Sequence, residues 1–187
     1  MGCFASKNAD SKASRLSRWR ATGISFPDEV LELDKSVRTL DLTHNKLVDV
    51  PEEISKLINM QRLLLLLNVS HNKLKSLPES TGSCFSLEEL QANENSIEEL
   101  PTSVCSLIHL KSLCLDHNNL KQIPPSLLKD CKALQNISLH GNPISMDQFQ
   151  QMEGFQEFED RRKKKFDKQI DSNVMISSKG LDEGVDL

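Results

Sequence analysis

The residues of this chain that could do chemistry fall into three groups. At the start, Met1-Gly2-Cys3-Phe4-Ala5-Ser6 fits M-G-x-x-x-S, the pattern for myristate on glycine once the methionine is removed. Gly2 is required because its α-amine must enter a narrow enzyme tunnel that a side chain would block. One myristoyl chain binds membranes only marginally, with an association constant of about 10⁴ M⁻¹. A second signal is therefore expected, and Cys3 beside Gly2 can take a reversible palmitate. Lys7, Lys12, Arg15, Arg18 and Arg20 offer an electrostatic one. Against Asp10 they give residues 1–22 a charge of +5 − 1 = +4, which leaves −4 − 4 = −8 on the remainder. That split suits a basic arm on the anionic surface of the plasma membrane, with an acidic body facing the cytosol. A disordered basic leader is the alternative.

The second group is His44, His71 and His117, which share one recurring slot, with Glu94 between the last two. Adjacent strands lie about 4.8 Å apart, so His44 and His71 could approach a shared metal. No carboxylate to orient them is recognisable in the repeat template, and no metal is expected. The third group is Cys114 with His117. Three apart on an extended segment, they point to opposite sides or splay. No G-x-S-x-G, P-loop or H-E-x-x-H occurs, so neither catalysis, nor a cofactor, nor a small-molecule substrate is expected. The five cysteines form no CxxC pair and no metal-ligand spacing, which fits reduced thiols inside a cell. A net charge of −4 argues against a chain that coats nucleic acid.

The elements that must position these residues come from a repeat. There are 28 leucines and 12 asparagines against 4% aromatics, a skew unlike that of an ordinary core. The segments LEELQANENSIEELP (87–101) and LKSLCLDHNNLKQIP (110–124) superimpose at a period of 23. The template is L-x-x-L-x-L-x-x-N-x-L-x-x-L-P. Its L-x-L pair reads as a short strand with alternating sides. The asparagine sits where strand turns into loop, and its amide can satisfy backbone groups there. The proline opens the return segment, where its fixed φ suits a helical first turn. One unit cannot bury its apolar edge alone, but a stack can. Full repeats start at Val37, Leu64, Leu87, Leu110 and Leu134, with asparagines at Asn45, Asn72, Asn95, Asn118 and Asn142. A leucine-rich helical bundle would need a proline inside its helices at every repeat. Cys84 fills a slot that leucine holds elsewhere, and Cys131 does so in a repeat one residue longer.

Over residues 26–146 the pattern resembles the leucine-rich repeat family, in the 23-residue class of Ras-group-related intracellular proteins. That resemblance implies an α/β fold: a right-handed solenoid with a parallel β-sheet on its concave side and short helical turns on its convex side. It also implies protein recognition rather than catalysis. The outward strand positions then form the expected partner-binding face. By repeat they are Thr39, Asp41, Thr43, His44; Leu66, Asn68, Ser70, His71; Glu89, Gln91, Asn93, Glu94; Ser112, Cys114, Asp116, His117; and Asn136, Ser138, His140. By family analogy the partner is a small GTPase or its regulator. A regulatory subunit that presents substrates to a phosphatase or kinase is the alternative, and a shortened splice form with impaired function a third.

Two departures from the period stand out. The repeat at Val37 runs 27 residues, as though two half-repeats were fused between Met60 and Leu67. Near the start only a back half is recognisable, Phe26-Pro27 with Val30 and Leu33. We read both as marks of a shortened array, with natural variation in repeat length, about 20–29 residues, as the alternative. The five leucines at 63–67 are too few to cross a bilayer, and no apolar secretory signal precedes Lys7. After residue 146 the pattern changes: Phe149, Met152, Phe155 and Phe158 trace one helical face, suited to cover the last repeat's open edge. A capping helix is expected over residues 147–170. Its basic run 161–165 admits three readings: a solvated cap end, a lipid-facing patch or a nuclear signal. Residues 171–187 read as a disordered tail.

Overall fold

The computed structural model describes residues 16–18, 26, 39–57 and 66–179. Six short strands form one parallel sheet in sequence order: β1 (Leu16–Arg18), β2 (Thr39–Asp41), β3 (Leu66–Asn68), β4 (Glu89–Gln91), β5 (Ser112–Cys114) and β6 (Asn136–Ser138). The register runs through Ser17, Leu40, Leu67, Leu90, Leu113 and Ile137. Three of these steps, Ser17 to Leu40, Leu67 to Leu90 and Leu90 to Leu113, keep the period of the repeat. The step from Leu40 to Leu67 is longer by four positions, and that from Leu113 to Ile137 by one. From Leu40 to Leu113 these central residues are buried, and so are Leu42, Val69, Ala92 and Leu115 two positions on. The L-x-L pairs thus line the core. The ladder continues past the strands, as Leu42 donates to Asn68, Val69 to Gln91, Ala92 to Cys114 and Leu115 to Ser138, all at 2.8–2.9 Å between N and O.

The return side consists of single turns: η1 (Glu52–Leu57), η2 (Glu79–Ser83), η3 (Thr102–Ser106) and α1 (Leu127–Asp130). Each follows its proline, whose carbonyl accepts the first turn's bond. Ile54, Thr81, Val104 and Leu127 donate to Pro51, Pro78, Pro101 and Pro124 at 3.0–3.2 Å. Three of the turns are stitched by side chains. The Ser80 amide donates to Glu52 Oε2 at 2.9 Å, and Ser103 Oγ to the Glu79 carbonyl at 2.6 Å. The Ser80 bond holds the Glu52 carboxyl below its ordinary pKa. Gly82 lets η2 and η3 approach: a Cβ there would lie 2.2 Å from the Ser103 carbonyl oxygen.

The N-terminal boundary needs correction. A front half does precede Phe26, because β1 pairs with β2 from one full period earlier in the chain. It escaped the leucine pattern because Ser17 occupies the register position that leucine holds in β2 to β5. Parallel pairing needs only extended backbone at the right spacing. The basic arm expected over residues 1–22 therefore overlaps the sheet.

The cap also differs. It consists of two helices, α2 (Met146–Gln150) and α3 (Phe155–Lys179), joined at Gly154. Gly154 has φ 85, and a Cβ there would sit 2.6 Å from the Lys129 nitrogen. Glycine alone permits both the left-handed turn and that approach. The aromatic positions converge as expected. Phe149 meets Phe155 and Phe158 edge-on at centroid distances of 5.6 and 6.2 Å, and Phe158 is 1% exposed. Arg161 is no solvated end: its Nε donates to the Leu134 carbonyl at 3.0 Å and its Nη2 to Leu128 at 2.9 Å. The helix passes residue 170 and runs to Lys179, so residues 171–179 are not the expected disordered tail. Strong helix formers from Arg162 to Lys165 carry it outward past the cap.

Candidate functional site

Four columns of side chains run across the sheet face, one from each outward position. The first is Thr39, Leu66, Glu89, Ser112 and Asn136; all are part-exposed except Asn136, which is exposed. Asn136 Nδ2 donates to Ser112 Oγ at 3.0 Å. The second is Asp41, Asn68, Gln91, Cys114 and Ser138. Here Asn68 Nδ2 donates to Gln91 Oε1 at 2.7 Å, and Ser112 Oγ lies 3.7 Å from Cys114 Sγ.

Two residues assigned to the binding face are buried instead, Asp41 at 6% and Ser70 at 4% exposure. Their polar atoms bond neighbouring residues of the same face. Asp41 Oδ1 accepts from the Thr43 amide at 3.0 Å and from Thr43 Oγ1 at 2.7 Å. In β3 the same role passes to Asn68, whose Oδ1 accepts the Ser70 amide at 3.0 Å. The third column, Thr43, Ser70, Asn93, Asp116 and His140, forms a chain between repeats. Ser70 Oγ accepts the Asn93 amide at 3.1 Å, and Asn93 Oδ1 the Asp116 amide at 2.8 Å. Asp116 Oδ1 accepts both the His140 amide at 2.8 Å and Ser138 Oγ at 2.6 Å. From Ser70 on, each side chain thus satisfies the N–H of its own slot one repeat later, whereas Thr43 bonds Asp41 and the Ser70 N–H goes to Asn68. The sequence carried a signal for this: Ser70, Asn93 and Asp116 all have a side-chain oxygen.

The fourth column holds His44, His71, Glu94, His117 and Gly141, all with left-handed backbone (φ 55, 56, 51, 55 and 68). A non-glycine residue pays about 1–2 kcal/mol for that conformation. The following asparagine offsets the cost. Asn118 Nδ2 donates to the Ala92, Leu115 and Asp116 carbonyls at 2.9, 3.0 and 3.3 Å, while its Oδ1 accepts the Ile97 amide at 3.0 Å. Asn72, Asn95 and Asn142 repeat the arrangement, each reaching the repeat before its own. Asn45 bonds the Leu42 and Thr43 carbonyls at 2.7 and 3.3 Å. The ladder is therefore an inter-repeat clamp as well as the local turn device expected of it.

In that fourth column the His44 and His71 rings stack at 4.1 Å with 14° between their planes, and His71 Nδ1 meets Glu94 Oε2 at 2.9 Å. Parallel rings send their lone pairs along parallel planes, so the pair does not converge on one ion. Among the described residues no group of three His, Cys, Asp or Glu could hold a metal. His117 lies over Gly141, where a Cβ would be 2.4 Å from Nδ1. Cys84 and Cys131 are buried, and burial pushes both thiols up to about 12. Gly2, Cys3, Lys7, Lys12, Arg15 and Arg20 lie outside the described residues, and Arg18 contributes its backbone to β1.

Residues 85–144 and 36–57 match the Leucine rich repeat family. Plant intracellular Ras-group-related LRR protein 7 of Oryza sativa subsp. japonica is 49% identical, with all of both chains covered. This chain is a leucine-rich-repeat protein of that Ras-group-related class. The alignment spans 261 positions, so at least 261 − 187 = 74 of them face no residue of this array. Plant intracellular Ras-group-related LRR protein 8 of the same species is 45% identical over 56 residues, 30% of this chain and 15% of its own length. Among solved structures, a Leptospira interrogans LRR protein superimposes with a TM-score of 0.54 at 28% identity, over 74% of this chain and 39% of that one. An internalin of Listeria monocytogenes gives 0.50 at 22% identity over 58% and 30%, a likeness of fold alone. The α/β solenoid follows from the register and from these relatives together. Proteins of this family are interaction scaffolds rather than enzymes.

Proposed function

We propose that this leucine-rich-repeat protein is an adaptor held at the cytosolic face of the plasma membrane, which docks a protein partner on its concave sheet. The observation that carries the docking surface is the first column. Its side chains, from Thr39 to Asn136, are part-exposed or exposed and stand in one register across the sheet. Rows of this kind give repeat proteins an extended binding surface. Glu89 and the outward edge of Leu66 are its chemically distinct members. The third column is occupied in holding repeats together and contributes shape more than contacts.

The membrane anchor rests on the M-G-x-x-x-S start and the basic residues behind it. Myristate on Gly2 and palmitate on Cys3 would meet the two-signal requirement for stable attachment. The Ras-group name of the relatives makes a small GTPase or its regulator the first partner to test. A pull-down with nucleotide-locked small GTPases, run beside phosphatase and kinase catalytic subunits, tests the partner class. Retention of a GTPase in one nucleotide state, lost with Glu89→Lys, supports the reading. Retention of a phosphatase or kinase subunit instead would replace it. For the anchor, intact mass of protein made in a eukaryotic cell is expected to show myristate, and Gly2→Ala to release the protein into the cytosol. An unmodified or acetylated N-terminus would contradict the anchor.

A further inference from the structure

Helix α3 does more than close the array. It meets the last repeat through Phe155, Phe158 and Arg161, all within its first two turns. The two Arg161 bonds to the Leu134 and Leu128 carbonyls fix its direction. The remaining stretch, 162–179, extends for about 27 Å at the helical rise. Residues 161–168 hold six cations and one carboxylate, +6 − 1 = +5, in a chain whose net charge is −4. Arg161 is occupied by the cap, and Arg162 meets Glu159 at 3.3 Å. Lys163, three positions before Phe166, is exposed on the same side of the helix, and Lys164, two positions before it, is exposed on the other. Among these cations Phe166 is 51% exposed, with the Arg162 guanidinium 5.9 Å from its ring centroid. Ile170 and Val174 follow Phe166 at i+4 and i+8 along the same helix.

We propose that the side of α3 that carries Arg162, Lys163 and Phe166 is a docking surface for an anionic phospholipid bilayer. Clustered cations beside an exposed aromatic ring fit the boundary between lipid headgroups and acyl chains, where ring and charge are both accommodated. A nucleic-acid base could also stack on Phe166, but Ile170 and Val174, which continue the line from Phe166 in the helix sequence, favour an apolar boundary over a phosphate backbone. The surface follows β6, at the opposite end of the sheet order from β1.

Each basic side chain beside an anionic leaflet strengthens binding about five-fold. The test uses the full chain expressed in bacteria, without acyl groups, and vesicles of phosphatidylcholine with or without phosphatidylserine. Sedimentation should show binding to the phosphatidylserine vesicles alone. Arg162→Glu with Lys163→Glu should weaken it by at least about ten-fold, and Phe166→Ala by a smaller factor. Unchanged helical circular dichroism and melting would show that both variants fold. Lys7→Glu with Lys12→Glu serves as the comparison for the N-terminal arm. Three results would overturn the proposal: equal binding to phosphatidylcholine alone, no response to the Arg162 and Lys163 reversals, or full loss with the N-terminal pair alone. Tighter binding to a nucleic acid of equal charge than to the vesicles would also reject it.

Discussion

At the residue scale, polar side chains on the sheet divide into those that hold repeats together and those that face outward. Asn118 belongs to the first kind, with four short bonds and 4% exposure. Asn118→Ala leaves the buried Ile97 amide without its acceptor, while the Ala92, Leu115 and Asp116 carbonyls each keep another donor, and is expected to cost about 1–3 kcal/mol. The exposed neighbour Asn119 is the control, at within about 0.5 kcal/mol on Asn119→Ala. Denaturant melts of both variants decide this, and equal midpoints would contradict the clamp. Asp41→Ala is expected to cost about 1–2 kcal/mol, since it removes the acceptor for both Thr43 donors. The sequence marked the asparagines and the strand faces correctly. It did not separate Asp41 and Ser70 from the outward set, because period-2 alternation tells the side of a strand and not what lies above it. Partners one repeat apart, such as Asp116 and His140, belong to the stacking of repeats rather than to any one repeat.

Two buried thiols give a pH prediction. Burial raises Cys84 and Cys131 from 9.0 to about 12. Above pH 9 the unfolded chain loses these protons while the folded chain keeps them. Stability contributed by each thiol is therefore present below pH 9 and falls by about 1.4 kcal/mol per pH unit as pH rises toward 12. Cys84→Ala and Cys131→Ala should each flatten the alkaline limb of the stability curve, whatever they do at neutral pH. An unchanged slope would contradict the burial.

Element-scale behaviour turns on close approach. The η2 and η3 turns can pack only because residue 82 lacks a Cβ. Gly82→Ala is expected to cost about 1–3 kcal/mol by forcing the Ser103 backbone away. The same change at Gly154 should cost more, because a left-handed φ adds to the contact with Lys129. Thermal melts rank the two, and an unaffected Gly82→Ala would disprove the contact. The convex turns were legible from their prolines. The bend at Gly154 was not, since Phe149, Met152, Phe155 and Phe158 keep helical spacing across it.

For the whole molecule, the spacing of paired strands is even except for one added position before β6 and four before β3. The sequence marked this spacing correctly from β2 onward, because leucine and asparagine recur visibly. It missed β1, where Ser17 stands in the ladder. We read the long step from Leu40 to Leu67 as the join of a shortened array. The 74 positions that the rice relative's alignment leaves unfilled approach three 23-residue repeats, 3 × 23 = 69. A stack couples only through neighbours, so an irregular step weakens the smaller piece most. Amides of 39–57 are expected to exchange faster with deuterated solvent than those of 87–139. Deleting Met60 to Leu63 restores the regular step and should raise protection in 39–57. Loss of stability on that deletion would show Met60 and Leu63 to be core residues.

The central claim is that the concave sheet is where this leucine-rich-repeat protein meets its partner. Site-specific photocrosslinking tests it most directly. A benzophenone side chain is placed at Glu89 or Ser112 on the sheet, or at Thr102 or Lys132 on the opposite side, and the full chain is irradiated in cells. Mass spectrometry should find one shared partner adduct from Glu89 and Ser112 and none of that protein from Thr102 or Lys132. Adducts formed from Thr102 and Lys132 alone would contradict the account.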